Sequence, residues 1–171
     1  GEVNRIVEQA AGNALYLEEL IRAAAEGKGA EMPKTVLAML QARIGWLEAG
    51  ARRVLRAASI FGDSCWSGGV AALLGAERKE SDRWLDVLEQ AELLERRAES
   101  RFPAEPEYRF RHALMREAAY SLLADADRTR GHRLAAGFLE DVGESAAVVA
   151  YHFEEAGEYD KALYYHVGAS D

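Results

Sequence analysis

Lys28 is the first residue to weigh for chemistry, because it follows Gly27 as the lysine of a phosphate-binding loop follows its glycine. Such a loop reads Gly-x-x-x-x-Gly-Lys-Ser/Thr, and its amides and lysine hold the phosphates. In AAAEGKGAE, Arg22 stands where the first glycine belongs and Gly29 replaces the hydroxyl residue. The stretch reads as an ordinary loop. GDSCW, residues 62–66, opens like a nucleophile elbow, but Trp66 takes the place of the glycine that the tight strand-to-helix turn needs. His112, His132, His152 and His166 fall on separate predicted helices without a spacing such as His-Glu-x-x-His. They are assigned to packing or to the surface, with His112 expected to join the second strand to the helix after it. Glu18 and Glu19 are sequence neighbours, so on a helix they point about 100° apart and do not form an acid/base pair. The chain is therefore expected to be no enzyme by itself, with no metal site.

The elements that carry these residues are mostly helical. Of the 171 residues 49% are hydrophobic and 29% charged, with only three prolines, a composition that builds a helical core. No apolar run approaches the roughly 18 residues that span a bilayer. Cys65 is the lone cysteine, which rules out an internal disulfide and fits a reducing, cytoplasmic compartment.

Helical spacing runs through Leu17, Leu20, Ile21 and Ala24, from Asn13 to about Glu26, and stops at Gly27 and Gly29. Pro33 opens the next helix, which Val36, Leu40, Ile44 and Leu47 carry to about Glu48. A helix marked by Val54, Ala58 and Phe61 then ends at Gly62. Ser67 is placed as the N-cap of a short helix through Leu74, closed by Gly75. Trp84, Leu85, Leu88 and Ala91 mark a third helix. Residues 93–96 and 108–110 read as two strands joined by a loop that holds Pro103 and Pro106. Three helices followed by a hairpin is the order of a winged-helix domain.

From His112 onward the pattern is helical again. Leu114, Ala118 and Leu122 face one way, and so do Leu134, Phe138 and Val142 in the next helix. In the last stretch Ala150, Ala162 and Ala169 stand 12 and 7 apart, with Phe153 three after the first. Tetratricopeptide repeats place small and aromatic residues at those intervals, where two antiparallel helices approach closely. One repeat does not bury its own apolar face.

AGNALYLEEL, MPKTVLAMLQARIGWL, RRVLRAASIFG, YRFRHALMREAAYSLL and AYHFEEAGEYDKALYY follow one another in an order that resembles the STAND class of bacterial signal-transduction ATPases. The resemblance is to the region downstream of the nucleotide-binding core and covers nearly the whole chain. It implies a mainly α architecture: a lid-like helical segment over residues 1–48, a winged-helix domain with a small β-hairpin over 49–111, and a helical repeat region over 112–171 with one tetratricopeptide-like hairpin near 143–171. In that family the lid helix begins at a Gly-x-Pro turn close to the nucleotide. Gly12, Asn13 and Ala14 occupy that place, with Ala14 at the proline position. They are the cofactor-proximal residues that the resemblance implies. ATP or ADP would belong to the parent protein and not to this piece.

The expected function is that of a non-catalytic regulatory and interaction fragment that couples a nucleotide-binding core to a helical-repeat sensor. Its expected partners are domains of the same parent chain, or a protein at the repeat region, with a homodimer through faces such as Tyr164 and Val167 as an alternative. A winged-helix transcription regulator is a competing reading, as is a stand-alone repeat adaptor. Charge opposes DNA. The formal net charge is −8. The candidate recognition helix, residues 77–92, sets three cations against six carboxylates, whereas nonspecific DNA affinity comes from cations on phosphates. Residues 143–171 hold six carboxylates and one lysine, an acidic surface suited to water or to a basic partner.

Overall fold

The computed structural model describes residue 22 and residues 36–168. Eight helices and three strands occur among them: α1 (Val36–Gly45), α2 (Ala49–Phe61), β1 (Ser64–Trp66), α3 (Ser67–Leu74), α4 (Arg78–Gln90), β2 (Leu94–Arg96), β3 (Glu107–Phe110), α5 (Ala113–Ser121), α6 (Asp125–Asp141), α7 (Ala146–Glu155) and α8 (Tyr159–Gly168). The chain divides into two compact units, Gly1–Glu48 and Ala49–Asp171.

In the first unit, α1 buries Met39, Leu40, Arg43 and Ile44. It ends at Gly45, three residues before the expected end, because the Leu47 amide donates to Ile44 O and tightens the chain into a turn.

The second unit is built on a three-stranded antiparallel sheet in the order β1-β3-β2. The hairpin expected from the sequence is therefore completed by a strand that its pattern did not announce. Cys65 pairs with Tyr108 and Trp66 with Glu107 on one side of β3, while Leu94 pairs with Phe110 and Arg96 with Tyr108 on the other. The central strand buries Glu107, Tyr108 and Phe110, so its short length still anchors the core. β1 passes into α3 without a connecting residue. Ser67 is consequently the first helical residue and not the N-cap; Trp66 takes that position without a side-chain cap. The Ser67 hydroxyl instead donates to Asp82 of α4. α2 packs on α3, α4, α5 and α6, and α4 also meets β2. Gly50 permits the α2–α4 approach: a Cβ there would lie 2.2 Å from the Trp84 ring.

α6 is gripped on two sides, by α2 and α3 on one and by α7 on the other, and α8 packs on α7. The apolar rows read from the sequence only partly match the buried faces: Ala118 is buried, and the other five residues are not. α5 buries Met115, Ala118 and Ala119, while Leu122 sits just past its end and is exposed. α6 buries Gly131, His132, Ala135, Ala136 and Leu139, leaving Leu134, Phe138 and Val142 half-buried. Small residues mark the closest helix approach, and the bulky ones flank it. Ala150, Phe153 and Ala162 are buried where α7 meets α8, while Ala169 lies outside the described residues.

Candidate functional site

The loop between β2 and β3, residues 97–106, is tied to α3, to α4 and to the turn between α6 and α7. Its ties begin with Glu105, whose carboxylate accepts from the Gly68 amide at 2.9 Å and from Arg78 at 2.8 Å, joining the loop to α3 and α4 together. Absence of a Cβ at Gly68 makes room for that carboxylate, which would otherwise lie within 2.6 Å of it. Glu107 then accepts the Arg101 amide at 2.8 Å and fixes the turn. From there the loop reaches the helices: Arg101 pairs with Glu144, in the α6–α7 turn, at 2.7 Å. Glu144 is only 2% exposed but Arg101 is 58% exposed, so water screens the pair and it adds roughly 0–1 kcal/mol. Its value is direction.

Phe102 supplies the apolar part of the same contact. Its ring lies 5.0 Å from that of Trp66, which meets Phe61 edge-on at 6.1 Å; Phe61 in turn meets Phe138 of α6 at 5.9 Å. Trp66, Ala136, Leu139, Val149, Phe153 and Ala162 form one cluster, so strand, loop and the last three helices share a core.

A second tie lies across α5, α6 and α7. The Tyr120 hydroxyl and His132 Nε2 are 2.8 Å apart, and His132 Nδ1 meets His152 Nδ1 at 2.9 Å. A nitrogen pair at that distance shares one proton, with one ring donating and the other accepting. Both histidines are 1% exposed. Burial holds the His132 imidazole down to about 4, assisted by Arg116 and Arg128, and burial holds His152 to about 4, assisted by its partner ring and Arg116. Both rings are neutral at pH 7. The sequence placed these histidines apart; the fold joins them and leaves His166 on the surface, paired with Glu154. His112 lies at the N-cap of α5, with Arg111 between it and β3.

The remaining candidates carry no such geometry. Cys65 is fully buried in β1, and burial, reinforced by Glu107, pushes its thiol up to about 12, so no thiolate forms at neutral pH. Gly12, Asn13 and Ala14 lie outside the described residues. Among the described residues no group of three or more His, Cys, Asp or Glu side chains is placed to hold a metal ion, and no helix is long and apolar enough to cross a membrane.

The chain matches no protein-family model, no curated protein and no solved structure. Its chemistry must be argued from its own geometry. Arg101, Phe102, Glu105 and Glu144, which form the junction with Trp66, were not singled out by spacing, because each pairs with a residue far along the chain. The one sequence-level signal was composition: five arginines and four glutamates in residues 95–111 are enough to neutralise one another.

Proposed function

We infer that the second unit is a rigid connector in a larger signal-transduction ATPase, a winged-helix domain fused through its wing to the opening helices of a tetratricopeptide-like sensor. The carrying observation is the inward-turned loop. In a DNA-binding winged helix, the wing and the recognition helix offer cations to phosphate. Here Arg101 is committed to Glu144 and Arg78 to Glu105, and Phe102 packs against Trp66 with its ring tilted. A wing held in this way is suited to passing displacement from the sheet to α6 and α7.

The resemblance to STAND ATPases supplies the proposed context: nucleotide state in a core displaces the lid-like segment, the connector carries the shift, and the repeats sense a ligand or protein. Coupling of this kind is reciprocal, so occupancy of the sensor would bias nucleotide binding equally. The chain contributes no catalytic residue to this scheme and holds no nucleotide in it.

Hydrogen exchange on the parent protein tests the reading. Replacing ADP with a non-hydrolysable ATP analogue should change protection at α2 and at α8 together, and Phe102→Ala should confine the change to α2. A response at one end only in the unaltered parent defeats it. Tight, salt-sensitive binding of duplex DNA by residues 1–171 would favour the transcription-regulator alternative.

A further inference from the structure

The second unit treats its arginines in two ways. Several have partners inside the fold: Arg78, Arg101, Arg109 and Arg133 pair with carboxylates, while Arg83 and Arg116 lie over the rings of Trp84 and Tyr120. Arg53 and Arg56 of α2 and Arg130 of α6 do neither. These three line one groove of about 270 Å³ between α2, α3 and α6. Among the described residues no carboxylate pairs with any of them, including Asp127, the one acid that lines the same groove. Two positive charges are therefore in excess there, on a chain whose formal net charge is −8. Like charges gathered in this way repel one another until an anion answers them.

The floor of the groove is apolar and fixed. Gly131 of α6 abuts Ile60 of α2 so closely that a Cβ at Gly131 would lie 2.9 Å from the tip of that side chain. Ile60 is buried, with Leu73 and Leu123 half-buried beside it, whereas Arg53 and Arg130 are exposed at the rim. Guanidinium forks match oxyanions with two parallel hydrogen bonds. A phosphate monoester carries close to two negative charges at neutral pH, which balances the excess, and a carboxylate carries one. The volume lies just below the roughly 300–1,000 Å³ of small-molecule sites, so it suits a compact ligand and not a packed helix.

We propose that the groove between α2, α3 and α6 binds a small phosphate monoester, with Arg53, Arg56 and Arg130 on the phosphate and Ile60, Leu73 and Leu123 beneath a compact apolar group. The arginines come from two helices, so the bound anion joins α2 to α6. This site lies apart from the loop junction and does not depend on the connector reading.

An NMR titration of the 171-residue chain with phenyl phosphate tests this, read at methyl groups and backbone amides. Shifts should centre on Ile60, Leu73, Leu123 and Gly131. Arg53→Gln/Arg130→Gln alters two exposed side chains and should weaken binding by about tenfold or more, with the rest of the spectrum unchanged. Phenyl sulfate has the same shape with one charge fewer, and inorganic phosphate lacks the ring; each should bind several-fold more weakly, and parity of either with phenyl phosphate overturns the proposal. Shifts scattered over other arginines, or an affinity that the double variant retains, identify an adventitious ion only and overturn it too. So does the absence of binding at millimolar phenyl phosphate. A phosphoserine peptide that binds more tightly than phenyl phosphate would make a protein the ligand, which also defeats the assignment.

Discussion

The sheet-bearing end of the second unit and its helical end solve the packing problem in opposite ways. Around the sheet, large side chains close a core: Leu55, Leu85, Leu88, Leu94 and Tyr108 are all at most 2% exposed. Around α6–α8, alanines bring backbones together, and bulky residues are left to flank the contact or to face outward. The first end is complete, while the second buries one side of α8 and leaves four large apolar residues exposed. The two ends of the unit differ in kind: large enclosed side chains hold the sheet, and α8 presents large apolar ones on its outer side.

Acid should separate the two ends most strongly. An imidazole with an ordinary value near 6.5 is held to about 4 in the folded chain, so the unfolded state takes up protons first as pH falls. Stability is then full above pH 6.5, declines between pH 6.5 and 4, and levels below that. The loss is on the order of a few kcal/mol for the coupled pair, and the strongest losses of amide protection should fall on α6 and α7. Urea melts at pH 7, 5 and 4 would show it, and a flat profile would mean that the pair is solvated. Phe102→Ala comes next, at about 2–3 kcal/mol for a half-buried ring. It should loosen α7 in exchange experiments while the paired strands stay protected; equal loss everywhere would deny the loop its joining role. Gly50→Ala should cost about 1–3 kcal/mol by driving a methyl group into Trp84, read as a lowered urea midpoint. The smallest effect has the opposite sign. Glu92 is held at φ 61° between α4 and β2, so Glu92→Gly should stabilise by up to about 1 kcal/mol at the sheet end and leave α8 unchanged.

Legibility in the sequence follows the range of the forces. Most helices were marked by local periodicity and glycine stops, and Gly62 and Gly75 close α2 and α3 at positive φ as their positions implied. β1 was invisible because Ser64–Trp66 is too short for an alternation and runs straight into a helix. The rows of leucine and phenylalanine on α5 and α6 marked helices but not their buried faces, which Ala118, Ala119, Gly131, Ala135 and Ala136 largely form, because helices in closest contact require small residues. His132 and His152, 20 positions apart, and Trp66 and Phe102, 36 apart, meet only once the chain has folded.

Cys65 gives the molecule a built-in stopwatch. As the one sulfhydryl in the chain, wholly enclosed at the sheet, it stays invisible to an alkylating reagent until β1 lets go. The pace at which label accumulates therefore times the opening of the anchored end alone, and any effector that hastens or delays it declares its reach across the unit.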